Sequence, residues 1–580
     1  ALAIYEEPVT ALAINYMLLP FDNGSDSTTT LDELKAAQFI NEDDGIYTVN
    51  SEYSEYAISR LTEGAPISLE DLENPPFTIK ALCLLAAEYW KLVRPEEIEW
   101  FMPGGLYVQI QEISTRTRAS DFLGAAHVID EIYEYLMEFG EYGLIINVLK
   151  PIIGELKSEE GDTIEMESYS HLGKAYKETN QYNEAIECFD KAIALTGAGN
   201  DYLLTNYLES KGDCLADLGK TSEGLQLYLD ALKIDEEILK IIKEDKYLGM
   251  SRRLSKVGDT LLKIGIDTDV SISIDYYSSA SEKAMTDIEQ VFASLGLAQV
   301  WVVFGDFEKA LDSYKGIIEY AQEMTRVNVK NEVYYRAGLA YLYTKNPKAA
   351  LEHFNMAFEF DYPPNTDNLH AARGIAALLL GDKDFAKHEF DRTLEVVDMQ
   401  LNFSDENYDG LFSKGHAMVG LAMMTENNKE ILEQALSCYK RAININGDRG
   451  VFNLEANLFE SLLVIDIKNQ LQPLGERLLN EFHKIHEGAE PVGSRPAAKQ
   501  NGEVLQLRNT YAESLTDEHA QQILEHYNFF ESYRFKSGVG LETEYHVNET
   551  EELIKDTTTN LMWQQGGSEF PENLEKGMNY

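Results

Sequence analysis

The chain has few cysteines, no long apolar run and no signal-peptide pattern in its first residues, and each shortage argues against a class of protein. Only four cysteines occur among 580 residues, and none forms a Cys-x-x-Cys pair. This argues against a disulfide scaffold or a structural zinc site and predicts a reducing compartment, the cytoplasm. No apolar run approaches the roughly 18 residues of a membrane-spanning helix, and the first residues lack the basic region of a secretory signal peptide.

Basic residues are also scarce. The chain has 49 lysines and arginines against 99 aspartates and glutamates, a formal net charge of −50 at pH 7. Such a field repels phosphate backbones and anionic headgroups, so we predict neither nucleic acid nor a membrane surface as a partner. Hydrophobic residues make up 44% of the chain, which is typical of a folded protein. Its length predicts several domains or one long repeat array.

No arrangement typical of an active site is present. The eleven histidines are scattered, and neither a His-Glu-x-x-His nor a Gly-x-Ser-x-Gly motif occurs. Gly219-Lys220-Thr221 is similar to the end of a phosphate-binding loop, but Cys214 stands where such a loop needs a glycine. We interpret this tripeptide as a turn between two helices. The sequence therefore predicts no catalytic activity, no cofactor and no bound metal.

Residues 166–450 repeat a pattern of small and aromatic residues about every 34 positions. In the first unit the pattern consists of Tyr169, Leu172, Gly173, Tyr176, Ala185, Phe189 and Ala192. This spacing resembles the tetratricopeptide repeat, in which small residues let two antiparallel helices approach closely. Six further units are marked by Gly212, Gly258, Ala298, Gly338, Gly374 and Gly420. The resemblance implies a mostly α protein built around an α-solenoid of helical hairpins.

Residues 1–65 have a different pattern, with helices followed by a hairpin and a further helix. Two short strands, roughly 39–43 and 45–50, meet at the turn signal Asp43-Asp44-Gly45. This order predicts a winged-helix domain. The segment resembles the winged helix of STAND-class NTPases of the NB-ARC type.

Residues 66–165 strengthen that resemblance. Their Arg94-Pro95-Glu96-Glu97 segment and their Asp121 and Ala125-Ala126 pattern are similar to the helical connector that joins winged helix and repeats in bacterial proteins of this group. The resemblance implies that an NTPase core and an effector domain precede Ala1 in a longer protein. It also implies self-assembly through that missing region.

The end of the chain is predicted to contain three parts. Residues 451–487 are expected to form capping helices, and residues 488–503, rich in glycine, proline and small polar residues, a linker. Residues 504–580 form a small partial α+β module. Its segment 556–564, followed by Gly566-Gly567-Ser568, resembles the start of the C-terminal domain of Lcl collagen-like adhesins.

The concave face of the repeats is the predicted binding site. In a tetratricopeptide stack, positions 2, 5, 9 and 12 of each first helix face inward. In repeats four to six these positions are mostly apolar, and the candidate groove residues are Phe292, Leu295, Gln299, Val302, Tyr335, Leu339, Leu342, Ile375 and Leu378. An exposed apolar stripe usually marks an interaction site for a helix or an extended peptide. The alternative is that a tight superhelix or a flanking segment covers the stripe.

Two functions are consistent with this sequence. The first is the sensor arm of a STAND-type signalling NTPase in bacterial defence, which binds a protein or peptide trigger in the repeat groove. The alternative is a free-standing tetratricopeptide adaptor that bridges proteins without a nucleotide switch.

Overall fold

The computed structural model describes residues 2–486 and three short strands between residues 545 and 564. Within the first stretch it leaves out residues 23–26, 98–99, 101–103, 157–162, 198, 245, 266, 323, 325–326, 361–365, 426–427, 465 and 467–470. Helices make up most of the described chain, as the sequence predicts. No described helix is both long enough and apolar enough to cross a membrane.

The first unit is a small three-stranded sheet with four helices. Its elements are α1 (Leu2–Tyr5), β1 (Val9–Thr10), α2 (Ala11–Asp22), α3 (Thr28–Ala36), β2 (Ile40–Asp43), β3 (Ile46–Val49) and α4 (Ser51–Ser59). The sheet is antiparallel in the order β1-β3-β2. Asp44 and Gly45 connect β2 to β3 with φ values of 49° and 80°, which suits a two-residue hairpin turn. The predicted hairpin is confirmed.

Four helices follow, and they connect this unit to the repeats. They are α5 (Ile79–Leu92), α6 (Tyr107–Ala119), α7 (Phe122–Glu138) and α8 (Tyr142–Ile152). A cluster of ion pairs holds α6 and α7 together. Glu112 accepts from Arg94 at 2.7 Å and from Arg116 at 2.8 Å, and Arg116 also reaches Asp121 at 2.6 Å. Arg94 and Asp121, which the sequence pattern singles out, thus belong to one cluster of ion pairs.

Seven helical hairpins form the solenoid, and each repeat contributes a first and a second helix. The fold class is the predicted one, an α-solenoid of tetratricopeptide-type hairpins. In order of the repeats, the pairs are α9 (Ile164–Glu178) and α10 (Tyr182–Leu195), α11 (Asp201–Asp217) and α12 (Thr221–Ile242), α13 (Met250–Ile264) and α14 (Asp267–Lys283), α15 (Asp287–Val303) and α16 (Phe307–Ala321), α17 (Val327–Tyr343) and α18 (Pro347–Glu359), α19 (Thr366–Leu380) and α20 (Lys383–Phe403), and α21 (Tyr408–Met423) and α22 (Lys429–Ile445).

Small residues on the first helices allow the hairpins to close. A Cβ atom added to Gly374 would lie 2.5 Å from the ring of Phe390, and one added to Gly173 would lie 2.9 Å from Phe189. Both distances are shorter than a van der Waals contact, so a larger side chain would push the two helices apart. The regular distance between the glycine and the aromatic residue in the sequence thus reflects a direct contact between them within each hairpin.

The seventh repeat is shifted from its predicted register. Gly420 was expected to face the aromatic residue Tyr439, but its α-carbon packs on Phe390 of the preceding repeat, 2.3 Å from an added Cβ. Gly415 takes the predicted position instead, since its added Cβ would lie 2.6 Å from Tyr439. Gly415 lies eight residues before the end of α21 and Tyr439 ten residues after the start of α22, whereas the corresponding distances for Gly212 and Tyr228 in repeat two are five and seven residues. The correct glycine therefore stands further from its partner in the sequence.

The last two described helices pack on different parts of the solenoid, although the rings of Phe452 and Phe482 stack between them with centroids 4.2 Å apart. In the predicted capping segment, α24 (Gln472–His486) packs on α22 and so continues the stack. By contrast, α23 (Arg449–Leu463) turns inward and contacts the first helices α13, α15, α17, α19 and α21. It therefore lies on the concave face of the superhelix.

Three strands are described in the C-terminal region. They are β4 (Tyr545–Asn548), β5 (Leu553–Asp556) and β6 (Met562–Gln564), which form an antiparallel sheet in the order β4-β5-β6. The predicted linker 488–503 and the rest of the predicted module 504–580 lie outside the described residues.

Candidate functional site

The superhelix closes on itself between its second and seventh repeats. The hydroxyl of Tyr408, at the start of α21, lies 3.5 Å from the carbonyl oxygen of Ala216 and 3.5 Å from Nζ of Lys263. The turn at Gly219 lies against the end of α22, where an added Cβ would be 2.5 Å from the carbonyl oxygen of Ile445. This turn is the predicted connection between two helices, not a phosphate loop. The closure converts part of the concave face into a chamber.

The chamber has a volume of ≈ 370 Å³ and is lined mainly by the first helices of the repeats. Lys256, Asp259 and Lys263 line it from α13, where a spacing of three or four residues places them on one helical face. Its charged lining residues are Lys177, Asp213, Asp217, Lys256, Asp259, Lys263, Glu332, Arg336 and Asp409. Charges of both signs thus face one partly open space.

Asp213 is the best-connected charge in the chamber. Its carboxylate lies 3.0 Å from Nζ of Lys177 and 3.0 Å from Nζ of Lys256, and it accepts a hydrogen bond of 2.7 Å from Tyr228. Burial alone would raise its pKa, but the two ammonium groups outweigh that effect and hold the pKa of Asp213 below its usual value. Asp213 therefore stays ionised and fixes both lysines.

Tyrosines of the second helices support the polar residues of the inner surface. The hydroxyl of Tyr228 donates to Asp213, that of Tyr277 to Asp259 at 2.6 Å, and that of Tyr314 to Gln299 at 3.1 Å. In repeat seven, Tyr439 and His416 Nδ1 are 2.8 Å apart in the same arrangement. This pairing was not predicted from the sequence, although its signal is present there, because the repeats with tyrosine in place of phenylalanine carry a polar residue directly after the small one.

Two carboxylates of the chamber have no such support. Among the described residues, neither the Asp217 nor the Asp409 carboxyl forms a hydrogen bond or an ion pair. Burial raises the pKa of Asp217. Asp409 is more exposed than Asp217. Desolvation by the surrounding protein, opposed by Lys263 and assisted by the charges of Glu455 and Asp217, raises the pKa of Asp409 to about 7. Lys263 lies beside both and has no carboxylate within ion-pair distance in the described chain. These three groups are the ones with free capacity for a ligand.

The predicted groove residues divide into two groups. Gln299, Tyr335 and Leu339 line the chamber. Phe292 is half-buried and packs against the apolar cluster that contains Leu295 and Val302. The other five are buried: Leu295, Val302, Leu342, Ile375 and Leu378. The stripe as a ligand site stays a prediction, and the structure shows what lies next to it.

Helix α23 lies over the apolar part of the stripe. Its Val451, Leu458, Phe459 and Leu462 belong to the same buried cluster as Ile375 and Leu378, and its Leu454 packs on the cluster that contains Leu295 and Val302. A polar contact adds to this packing, because Glu455 lies 2.8 Å from Nε2 of His416. Leu454 also lines the chamber. One helix thus covers the apolar surface and forms a wall of the polar site.

No group of three or more histidine, cysteine, aspartate or glutamate side chains in the described part of the chain is arranged to hold a metal ion. The four cysteines are present as free thiols, and three of them are buried.

Comparison with known proteins identifies the repeat. Residues 167–195, which cover most of repeat one, match the tetratricopeptide repeat family. No curated protein shows significant sequence similarity to the chain.

Several solved structures overlap with it loosely. A Rap protein complexed with competence and sporulation factor is 15% identical, with a TM-score of 0.42 over 66% of this chain and 99% of its own. A STAND protein with a tetratricopeptide repeat sensor from Pyrococcus horikoshii is 12% identical, with a TM-score of 0.36 over 83% of this chain and 64% of its own. A tetratricopeptide repeat protein from Parabacteroides merdae is 16% identical, with a TM-score of 0.33 over 48% and 98%. At these TM-scores the overlaps carry no functional argument.

Proposed function

We propose that the chain is a recognition domain that binds a protein or peptide ligand in the chamber of its repeat superhelix. The observation that carries this proposal is a group of three ionisable side chains in the chamber, two carboxyls and one lysine, that form no ion pair among the described residues. Asp217, Asp409 and Lys263 face the chamber without a carboxylate–ammonium contact of their own. A ligand that presents charges of both signs would complete these contacts, and a peptide end offers such charges together with backbone donors and acceptors.

The size of the chamber limits what can enter. A volume of ≈ 370 Å³ lies near the lower end of the range for ligand pockets. It accommodates a few residues of an extended chain and not a whole helix. We therefore expect the ligand to insert one end or one loop, while its remaining residues lie outside the closed turn of the superhelix.

A finer form of the proposal is that this domain is the sensor arm of a STAND-type signalling NTPase that acts in the cytoplasm in bacterial defence. The order of helices and hairpin at residues 2–59 supports it, since it agrees with the winged helix expected there. In this form, a trigger that binds the open state better than the closed state shifts the population between them. Assembly through an NTPase region and an adhesin-like module after residue 504 are parts of the same proposal.

The test is a selection followed by a matched pair of variants. Peptides are selected from a random twelve-residue display library on the full chain, and their dissociation constants are measured by fluorescence anisotropy. We expect Lys263→Gln to weaken binding of the selected peptides about tenfold, because it removes the one lysine of the chamber that lacks a carboxylate partner. Lys240→Gln is the control, because this lysine is two-thirds exposed on the outer helix α12. Equal binding by both variants would contradict the chamber as the site.

A further inference from the structure

Helix α23 leaves the path of the solenoid and enters its concave face, while Phe459 and Phe452 keep ring contacts with Tyr439 of α22 and Phe482 of α24. The last repeat already has a covering helix, because α24 packs on α22. Yet α23 runs along the concave face and contacts the first helices of five successive repeats. A concave repeat surface is where such proteins present their contact residues. The position of α23 is thus that of a bound helix.

The contacts of α23 are also those of an amphipathic helix in a groove. Its apolar residues recur at helical spacing, and they are Val451, Leu454, Leu458, Phe459 and Leu462. On the opposite face Glu460 is exposed. One charged residue of the contact face, Glu455, reaches His416, whose side chain is 1% exposed. An apolar stripe with a single acid therefore matches an apolar groove with a single histidine.

The surface beneath α23 would be exposed without it. Ile375 and Leu378 share their cluster with α23, and they belong to the apolar stripe that the sequence predicts on the concave face. An apolar surface of this kind needs an occupant in water. Any helix with the same pattern could take that place, because the groove recognises side-chain spacing and one acid, not the connection to α22.

We propose that the concave face of repeats three to seven is a binding site for a partner's amphipathic helix, and that α23 occupies this site in cis until the partner replaces it. The partner helix would present apolar residues with the spacing of α23 and an acidic residue opposite His416. This inference rests on the proposed function and names a second class of ligand for the same domain. Because Leu454 lines the chamber, displacement of α23 would also open one wall of that site.

The first experiment is hydrogen exchange with mass spectrometry on the full chain. We expect Leu458→Ala and Glu455→Gln to raise the exchange rate of α23 amides about tenfold or more, because each removes a contact of α23 with the groove. Exchange in α21 should not change. Glu460→Gln is the matched control, since it removes the same charge from the exposed face of α23. If exchange rises in α21 together with α23, then α23 is a permanent part of the core and the proposal is wrong.

The second experiment supplies the helix from outside. A labelled synthetic peptide of residues 447–464 is titrated with each variant, and its anisotropy is measured. We expect Leu458→Ala to bind it about tenfold more tightly than the wild type or Glu460→Gln, because the weakened cis helix competes less. A variant with released α23 that does not bind the peptide overturns the proposal. Equal binding by all three proteins also overturns it, because the peptide would then bind elsewhere.

The two proposals fail in different ways. If the chamber is not a peptide site, Lys263→Gln leaves the selected peptides unaffected, while the α23 peptide still binds Leu458→Ala. If α23 is not displaceable, the α23 peptide binds no variant, while Lys263→Gln still weakens the selected peptides.

Discussion

Repeats two to four and repeats five and six have the same backbone but opposite inner surfaces. In the first group, tyrosines of the second helices hold Asp213, Asp259 and Gln299 at the inner face. In the second group the corresponding aromatic residues are Phe354 and Phe390, and the corresponding inner residues, Leu339 and Ile375, are apolar. In these two groups, the repeats with a tyrosine hydroxyl have a polar inner surface, and the repeats without that hydroxyl have an apolar one.

The packing in both groups is otherwise equivalent. A Cβ added to Gly212 would lie 2.7 Å from Tyr228, and one added to Gly374 would lie 2.5 Å from Phe390. The ring fills the same space in each case. Only in the first group does its hydroxyl reach through to a polar residue, and a buried polar residue without such a partner would destabilise the fold. In these repeats, a tyrosine in the second helix therefore accompanies a polar residue on the inner face of the first helix, and a phenylalanine accompanies an apolar one.

The largest effect is expected in the apolar group. Phe390 is fully buried and contacts both Gly374 of its own repeat and Gly420 of the next. Phe390→Ala should lower the free energy of unfolding by about 3–5 kcal/mol, because the cavity lies between two repeats that cannot collapse onto it. Urea denaturation followed by circular dichroism measures this change.

Met399→Ala is the control for that substitution. Met399 lies on the same helix, α20, and is 56% exposed, so its loss should change stability by less than about 0.5 kcal/mol. A similar loss for both variants would mean that the packing of Phe390 does not hold repeats six and seven together.

A smaller effect is expected from exchanging the two aromatic residues. Tyr228→Phe removes the hydrogen bond to Asp213 and should destabilise the chain by about 1.5 kcal/mol, a typical value for a bond to a charged group. Phe390→Tyr places a hydroxyl next to the apolar Ile375 and should cost about 1–3 kcal/mol, because that hydroxyl is buried without an acceptor. Both changes are measured by urea denaturation.

The control for this exchange is Tyr202→Phe. Tyr202 is 44% exposed, so the loss of its hydroxyl should leave stability nearly unchanged. If Phe390→Tyr were neutral, the hydroxyl would have found another partner, and the difference between the two groups of repeats would not depend on it.

The helical hairpins could be predicted because each repeat encodes its own packing contact. The spacing from the inner polar residue to its tyrosine is 15 residues in repeat two and 18 in repeat three. In repeat seven it is 23, so Gly420 fitted the expected distance better than Gly415 did. The predicted register was wrong there because it rested on a nearly constant spacing, whereas in repeat seven both helices continue further past the packing contact than in repeat two.

The chamber could not be predicted in the same way. It depends on contacts such as that between Tyr408 and Ala216, which are 192 residues apart. Such closure results from small rotations that accumulate over several repeats, and no local pattern encodes their sum. The place of α23 was equally hidden, because an amphipathic helix that caps a stack and one that enters a groove have the same apolar spacing.

The smallest effect is expected from Asp409, which lines the chamber at an exposed position and whose pKa is raised to about 7 by desolvation from the surrounding protein. An unfolded aspartate has a pKa of about 3.9, so the folded chain binds the proton more tightly. The stabilisation by this proton is complete below about pH 4 and is lost as the pH rises through about 7. Asp409→Asn should therefore reduce the loss of stability between pH 5 and pH 8.

The measurement is the difference in urea midpoint between pH 5 and pH 8, compared among wild type, Asp409→Asn and Glu406→Gln. Glu406 and Asp409 are both exposed, but only Asp409 lines the chamber, so the Glu406 variant loses the same charge outside the chamber and should keep the wild-type pH dependence. A reduced dependence in Asp409→Asn alone shows that the surroundings of the chamber raise this pKa. Equal behaviour of all three proteins would mean that water solvates Asp409 as fully as it solvates Glu406, and that the chamber does not perturb this carboxyl.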